Sequence, residues 1–299
     1  MAGELLTRDM QIQWAGLLLG DGTDYSVEQL QGWDDLPSLD SGTVLRPQQH
    51  GAYAGRLLAK SRILVLDLTL TCAPENFPAV RRALLAASAL AQDEQPLAVQ
   101  LAGEQQMVNA RIIARAIPTA VAFAQGNPHV TLTWEATDPR RYGMTVGTGT
   151  TGLPAPEAGL DWGSPEAGLD WGTPTETGLV WGTPGPSGDI ACTNDGDADV
   201  HPVIGIRGPC TTPSITTSMG AVLEYGLRLA AGEVLLIDCW AGTVTLSGQS
   251  RLATATARSV PEGSVVIPAG TQTVVSFRSA DTVPDPSAQA TVWWRSAYW

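Results

Sequence analysis

The chain has 299 residues, with 17 Lys and Arg against 30 Asp and Glu, which gives a formal net charge of −13. Its length accommodates two domains of roughly 100–150 residues each. The acidic excess argues against tight nucleic-acid binding through phosphate contacts, although acidic walls can surround DNA without holding it. The 32 glycines and 21 prolines favour a β-rich protein with many turns.

Nothing in the sequence predicts a membrane span or a disulfide framework. The apolar runs are shorter than the roughly 18 residues that a spanning helix needs, so we expect no membrane insertion. The first residues lack a basic region followed by a long apolar stretch, so we expect no secretory signal. Cys72, Cys192, Cys210 and Cys239 are far apart, and buried thiols are the expectation. A Cys192–Cys210 disulfide is the alternative.

Residues 1–148 are expected to form a first domain that is α+β and dominated by β. Residues 10–20 predict two short strands joined by a turn, and residues 62–71 predict a longer strand with alternating leucines. Further strands are predicted at 97–101, 107–114 and 129–136. The last of these alternates Val130, Leu132 and Trp134 with polar residues.

A long polar, glycine-rich stretch at 34–60 interrupts these strands. It predicts an exposed loop or hairpin, and loops of this length inside a compact domain are usually functional or disordered. Arg46, His50 and Gly51 lie near its centre. We therefore expect the stretch to contact a neighbouring subunit through these residues.

The only strongly predicted helix follows residue 74. Asn76 is expected to cap the helix, and Pro78 suits its first turn. One apolar stripe follows helical spacing and is expected to pack on a sheet: Phe77, Val80, Leu84, Ala87 and Ala91.

Residues 149–188 repeat one pattern three times. Gly-Leu-Asp-Trp-Gly occurs at 159–163 and 168–172, and Gly-Leu-Val-Trp-Gly follows at 178–182. Each unit contains turn residues and is too short for a helix. We interpret the segment as a structured tether between the domains that docks Trp162, Trp171 and Trp181 on this protein or on an adjacent subunit. A disordered linker is the alternative.

The sequence patterns from residue 189 to 299 all predict β-strands and turns. Short apolar runs, such as 222–229, 234–240, 264–267 and 273–277, are bounded by turn residues at regular spacing. This pattern predicts a β-sandwich that folds on its own.

No motif in the chain predicts catalysis or a bound ion. The acidic run 195–199 lacks the glycine and glutamate that an EF-hand loop needs at its sixth and twelfth positions, so a plain turn is favoured over a calcium site. His50, His129 and His201 are isolated from any nucleophile motif, and no phosphate-binding glycine loop occurs. We therefore expect no enzyme activity, no metal and no cofactor.

The order of several short motifs resembles that of siphophage distal tail proteins (Dit). In the second domain these are 194–196, 201–204, 208–209, 231–238, 243–248, 268–274 and 292–299. In the first domain they are the His50-Gly51 loop, the helix after a strand, and the run Asp138-Pro139-Arg140-Arg141-Tyr142. Related proteins often carry repeated Gly-Leu-x-Phe-Pro units where this chain has Gly-Leu-x-Trp-Gly.

The resemblance implies a tail-tube-like first domain, a β-sandwich or barrel with one helix, and a galectin-like second domain. It also implies a role: a ring, usually a hexamer, at the tip of a phage tail. Such a ring joins the tail tube protein to the tip hub protein and to receptor-binding parts, and its channel passes the genome without specific binding. The protein would belong to the virion and assemble in the host cytoplasm. The alternative is a sugar-binding module, with Trp293, Trp294 and Trp299 as a stacking platform.

Overall fold

The computed structural model describes residues 3–155 and 185–299, so predictions on residues 156–184 lie outside the described residues. The chain forms two compact units. The first contains Met1–Thr145, Gly196–Ala198 and Ser296–Trp299, and the second contains Val146–Asp195 and Asp199–Arg295. Two short pieces from the second half of the chain therefore belong to the first unit.

The first unit is built from thirteen of the strands and from both α-helices. Its strands are β1 (Gln11–Trp14), β2 (Leu17–Leu19), β3 (Tyr25–Gln31), β4 (Leu39–Asp40), β5 (Val44–Leu45), β6 (Ala52–Tyr53), β7 (Leu58–Ala59), β8 (Arg62–Leu70), β9 (Gln95–Leu101), β10 (Glu104–Ala116), β11 (His129–Ala136), β12 (Arg141–Gly143) and β25 (Ala297–Tyr298). The helices are α1 (Phe77–Ala87) and the short α2 (Val121–Ala124).

Nine of these strands form one large antiparallel sheet, seven of them in the order β2-β1-β9-β10-β11-β8-β3, and the remaining four form the separate pairs β4–β7 and β5–β6. Strand β12 pairs with β10, and β25 then pairs with β12. The sheet path ends at β2 and β3, so in the described residues it is open and no closed barrel forms. The predicted strands at 10–20, 62–71, 97–101, 107–114 and 129–136 are all confirmed, and β10 is longer than predicted.

The core of the first unit lies between this sheet and α1. The four leucines at alternate positions of β8 are fully buried, as the alternation predicts: Leu64, Leu66, Leu68 and Leu70. Trp14 and Trp134 pack edge to face with ring centroids 5.7 Å apart. The hydroxyl of Tyr25 donates to the carbonyl of Val80 in α1 at 2.9 Å, and burial raises the pKa of Tyr25 to about 12.

Helix α1 begins where the sequence predicts, but the expected side-chain cap is absent. Asn76 has helical backbone angles (φ −87°, ψ −18°) and makes no capping hydrogen bond, whereas a capping side chain requires an extended backbone. Pro78 lies in the first turn as expected. At the other end, the guanidinium of Arg115 donates to the carbonyls of Leu85 and Ser88 at 3.2 and 3.0 Å. This contact satisfies carbonyls that the last turn leaves unpaired.

The second unit contains the remaining strands and two short 3-10 helices. Its strands are β13 (Gly147–Gly152), β14 (Asp189–Asn194), β15 (Val203–Arg207), β16 (Cys210–Thr211), β17 (Ser214–Thr217), β18 (Val222–Glu224), β19 (Arg228–Leu229), β20 (Val234–Asp238), β21 (Thr243–Leu246), β22 (Gln249–Ser250), β23 (Thr271–Arg278) and β24 (Gln289–Trp294). The 3-10 helices are Leu252–Thr254 and Glu262–Ser264.

These strands form the predicted sandwich. One sheet has the order β13-β24-β15-β20-β21-β22, and the other has the order β14-β23-β17-β18. Gly149 of β13 leaves room for the side chain of Ile190 in β14, so the two sheets pack face to face at this point. Tyr225 is fully buried, and its hydroxyl donates to the carboxylate of Glu262 at 3.0 Å.

Two predicted runs in this unit take a different form. The run 222–229 divides into β18 and β19, which pair with different partners, because residues 225–227 turn the chain between them. Residues 264–267 form no strand, and Ile267 makes an isolated bridge with Val200 instead. All four cysteines are free thiols, as expected, and the Cys192–Cys210 disulfide is absent.

The unit boundaries differ from the predicted domains 1–148, 149–188 and 189–299. Strand β13 pairs along its whole length with β24, so residues from Val146 onwards already belong to the second unit. The amide of Ala155 donates to the carbonyl of Pro186 at 3.2 Å, so both ends of the repeat segment also lie in that unit. The repeats therefore lie within the sequence of the second unit, and the chain first passes from one unit to the other at Thr145–Val146.

This pairing predicts which fragment of the chain folds by itself. A fragment of residues 146–295 retains β13, whereas one of 189–295 loses six register pairs with β24. The shorter fragment also loses Leu153, which is only 3% exposed and is part of the buried core. We expect the longer fragment to unfold cooperatively at a clearly higher temperature, which calorimetry measures. Equal melting temperatures for both fragments contradict this assignment.

Candidate inter-subunit interface

Residues 36–60, here called the arm, leave the first unit as a β-hairpin. Its base is the antiparallel pair β4–β7, with Leu39 opposite Ala59. Its outer part is the pair β5–β6, with Val44 opposite Tyr53. The structure thus confirms an exposed hairpin between 34 and 60. Isolated two-stranded hairpins are marginally stable in water, so this one needs support from another surface.

The arm exposes more apolar surface than its polar composition suggests. Leu45 is 79% exposed and Leu36 is 68% exposed. Five further large apolar residues of the arm also face solvent: Leu39, Val44, Tyr53, Leu57 and Leu58. Seven exposed large apolar residues on a hairpin without a core of its own are typical of a protein–protein contact site.

The predicted contact residues lie at the tip of the arm. Arg46 is exposed, and its guanidinium lies over the ring of Tyr53, 4.8 Å from the ring centroid. The amide of Arg46 donates to the carbonyl of Gly51 at 3.2 Å, which closes the tip. Gly51 has φ +93°, a left-handed conformation that favours glycine. His50 is exposed between them. These positions are accessible to another subunit.

The arm is also cationic in an acidic protein. No Asp or Glu occurs between Asp40 and Asp67. Arg46, Arg56 and Lys60 are all exposed in this interval. A basic segment on a protein of net charge −13 is complementary to most of the surface that a second copy presents.

The base of the arm is held by the buried guanidinium of Arg62. Its Nη1 donates to the carbonyls of Gly32, Trp33 and Asp35 at 2.6, 2.8 and 2.7 Å. Its Nε donates to the carbonyl of Pro139 at 2.7 Å. Burial lowers the pKa of Arg62 to about 10, so the side chain remains charged at neutral pH.

The run 138–142 completes this base. Asp138 accepts hydrogen bonds from Arg140 Nε at 2.9 Å and from the hydroxyl of Tyr142 at 2.5 Å. The Nη1 of Arg141 donates to the carboxylate of Asp34 at 2.5 Å, and its Nη2 donates to the main-chain oxygen of Trp299. Each charged side chain of the run therefore has a distinct partner within the first unit.

Arg62 is not among the predicted site residues, although the sequence contains a signal for it. Arg62 precedes Leu64 by two residues, so the alternation of β8 places its side chain on the inward face with the leucines. Only 1% of Arg62 is exposed. A charged residue at an inward position needs buried partners, and the unpaired carbonyls of a loop supply them.

A pocket of about 360 Å³ opens beside the arm base, within the first unit. Trp33 and Tyr298 contribute aromatic surface, and Asp34, Glu104 and Arg141 contribute charge. Leu101, Ala102 and Gln106 complete its lining. The Nε of Arg141 is buried and has no hydrogen-bond partner among the described residues.

The tryptophans of the sequence analysis do not form one group. Trp162, Trp171 and Trp181 lie outside the described residues. Trp293 and Trp294 are consecutive in β24 and therefore point to opposite faces of the sheet. The indole N–H of Trp294 donates to the carbonyl of Thr193 at 2.7 Å, and Trp299 belongs to the first unit. A platform of all three rings on one sheet face is excluded, and Trp293 alone remains a candidate.

The described residues contain neither a candidate metal centre nor a membrane span. No group of three or more His, Cys, Asp or Glu side chains within 3–155 and 185–299 could hold an ion. No helix in the same part of the chain has the length and apolar character to cross a bilayer.

Comparison with solved structures shows which fold the chain has. No known protein family model and no curated protein matches the sequence. The Dit protein of phage SPP1, described as a paradigm of the hub adsorption apparatus in phages that infect Gram-positive bacteria, matches with a TM-score of 0.62 at 12% identity. The match covers 97% of this chain and 99% of that protein. The chain therefore has a Dit-like fold.

Two structures of the phage p2 baseplate in its activated conformation, with Ca and with Sr, are also similar. They cover 88% and 95% of this chain, at 12% and 11% identity. Their TM-scores are 0.43 and 0.46, too low to support an argument about fold.

The contacts of Arg62 predict a strong effect of its replacement. Arg62→Met keeps the apolar stem but leaves four carbonyls without their donor, and we expect a loss of about 3 kcal/mol in unfolding free energy. Chemical denaturation of the full chain measures this loss. Arg82→Met, at an exposed position of α1, is the matched control and should change stability by less than about 0.5 kcal/mol. Equal effects of the two variants contradict the anchoring role.

Proposed function

We propose that this protein is a structural component of a bacteriophage tail tip, where copies of the chain form a ring. The observation that carries the proposal is the arm. It is an exposed, apolar and cationic hairpin without a core of its own, on a base that Arg62 holds in place. The Dit-like fold supports the tail-tip role, because the similar SPP1 protein belongs to an adsorption hub.

An arm that docks on a different surface of the next copy makes a heterologous contact. Contacts of this kind generate a closed ring when a whole number of the rotations that relate successive copies adds up to a full turn. We propose a hexamer that joins the tail tube protein to the tip hub protein and to receptor-binding proteins. In this proposal the protein is part of the virion, assembles in the host cytoplasm, inserts into no membrane and catalyses no reaction.

The proposed ring leaves a channel for the genome. Each copy adds a net charge of −13, so a ring multiplies the negative field that the genome meets. Like charge keeps DNA from adhering to the channel wall, which suits passage without specific binding.

Deleting residues 41–55 tests the role of the arm. The deletion leaves Arg56 and Leu57 as a two-residue connection between Asp40 and Leu58, which pair in the base of the arm. We expect the wild-type chain to form an oligomer of several copies of the 31.4 kDa subunit, and the deletion variant to remain a folded monomer. Light scattering after size-exclusion chromatography measures both masses.

A milder pair of variants controls for damage to the fold. Leu45→Ser removes an apolar side chain that is 79% exposed in the arm, and Met219→Ser removes one that is 68% exposed in the second unit. Only the first should weaken the oligomer. A deletion variant that assembles as well as the wild type contradicts the proposal.

A second candidate function is carbohydrate binding by the second unit, and Trp293 is the observation that favours it. The ring of Trp293 lies over Gly205, where an added Cβ would be 2.9 Å from ring atoms Cη2 and Cζ3. Trp293 is 37% exposed, and the hydroxyls of Thr150 and Thr291 lie 3.0 Å apart on the same sheet face. An accessible indole face beside hydroxyl groups suits the C–H face and hydroxyls of a sugar ring.

Substitution of Trp293 tests this candidate. If the wild type binds purified bacterial cell-wall polysaccharide, Trp293→Ala should weaken binding at least tenfold, because the stacking surface is lost. Trp294→Phe, on the opposite face of the same strand, should leave binding unchanged. Isothermal titration calorimetry measures the affinities. Absence of binding by the wild type, or equal binding by all three proteins, contradicts the sugar-binding function.

A further inference from the structure

The pocket beside the arm base has the chemistry of a receptor for a guanidinium group. Tyr298 offers a half-buried aromatic ring, and Asp34 and Glu104 offer carboxylates. Trp33 is only 3% exposed, and its ring already lies under the guanidinium of Arg141, 5.8 Å from the ring centroid. Arg141 balances only one of these charges, so the pocket has an excess of one negative charge. A guanidinium stacks on aromatic rings and pairs with carboxylates at the same time, whereas an ammonium is a compact point charge.

Both carboxylates of the pocket are accessible. The side chain of Asp34 is 76% exposed although it already accepts a hydrogen bond from Arg141. Its remaining lone pairs can accept a second donor. Glu104 is exposed at the start of β10, immediately after the turn residue Gly103. A guanidinium that enters the pocket would meet two accessible carboxylates, those of Asp34 and Glu104.

The arm supplies an arginine with the right surroundings. Arg46 is exposed at the tip, and Val44, two residues before it and 64% exposed, is the neighbouring apolar side chain that can cover the apolar wall of the pocket. Four other exposed or half-exposed arginines already pair with a carboxylate: Arg8 with Asp21, Arg111 with Glu135, Arg258 with Glu224 and Arg278 with Asp189. Further arginines are exposed, among them Arg56 and Arg82, and Arg46 differs from them in its place at the tip of the arm.

Arg46 is not among the residues that line the pocket of its own copy. The arm base starts next to Trp33 and Asp34, and two ladders, β4–β7 and β5–β6, hold its strands together towards the tip. Extended backbone rises about 3.3 Å per residue, so the six residues from Asp40 to Arg46 span at most roughly 20 Å. An extended hairpin of this kind delivers its tip to another molecule.

We propose that this pocket receives Arg46 from the arm of a second copy of the chain. The proposal rests on the ring function proposed above and identifies the two surfaces that meet in it. Every copy carries one arm and one pocket at different places, so the contact is heterologous and can repeat around a ring. Opposite charges at the two surfaces fix which parts meet.

Charge reversal in the full chain tests the pairing. Arg46→Glu and Glu104→Arg should each raise the dissociation constant of the oligomer at least tenfold, because each places like charges in contact. The double variant should assemble as the wild type does. Arg82→Glu and Asp93→Arg make the same changes in net charge at exposed positions elsewhere and should assemble normally. Native mass spectrometry and light scattering measure assembly, and the melting temperature reports folding.

Mixing the two single variants separates a contact between copies from one within a copy. The arm of the Arg46→Glu variant carries a carboxylate that fits the pocket of the Glu104→Arg variant, where a guanidinium replaces a carboxylate. The unchanged arm of the Glu104→Arg variant fits the unchanged pocket of the Arg46→Glu variant. An equimolar mixture should therefore assemble with alternating subunits, while each variant alone remains dissociated. If the double variant assembles but the mixture does not, the contact lies within one copy and the proposal is wrong.

The remaining outcomes separate failure of the Arg46–pocket contact from failure of the proposed ring function. If the wild type forms an oligomer and both single variants form it equally well, the ring function stands and the Arg46 contact is refuted. A wild-type chain that stays monomeric refutes both. If Glu104→Arg disturbs folding, Glu104→Gln replaces it, and its expected effect is a smaller increase in the dissociation constant in the same direction.

Discussion

The arrangement of the first unit depends on one buried cation. Arg62 is the first residue of β8. Its guanidinium donates hydrogen bonds to carbonyls of residues 32–35, which precede the arm, and to the carbonyl of Pro139. Those carbonyls belong to loops and have no ladder partners, so without a donor they would remain desolvated and unpaired. A single side chain thereby fixes the direction in which the arm leaves the sheet.

A rigid base prepares the arm for docking on another subunit. A hairpin attached through a loose loop would lose more conformational entropy when it docks. Here Arg62 and Arg141 hold the residues before β4 before any partner arrives, and Tyr298 returns from the far end of the chain to line the adjoining pocket. The two halves of the proposed contact are therefore built on the same anchored region.

Strands with strict alternation were predictable from the sequence. The leucines of β8 and the Val130, Leu132 and Trp134 face of β11 are buried as the pattern requires. The start of α1 was equally predictable from the apolar spacing and Pro78. The predicted side-chain cap by Asn76 is wrong, because the residue type alone does not reveal that the backbone at this position is helical. Local patterns report which face of an element is apolar, and they report backbone angles poorly.

Long-range pairing could not be read from the sequence. Strand β25 has only two residues, and its place beside β12 depends on tertiary contacts. Strand β13 is rich in glycine and threonine and lacks an apolar alternation, so the sequence predicts no strand there and divides its residues between the first domain and the tether. Of the site, the exposed hairpin and Arg46 followed from the sequence. Arg62 and the pocket required the fold, because their partners are distant in the chain.

The hydrogen bond between Ala155 and Pro186 has an evolutionary consequence. Because the chain departs and returns at one place in the second unit, residues 156–184 can be lengthened, shortened or exchanged without moving any strand. Doubling the length of such an excursion costs only about 0.6 kcal/mol in closure entropy. Variation in the number of residues between Ala155 and Pro186 is therefore compatible with an unchanged sandwich.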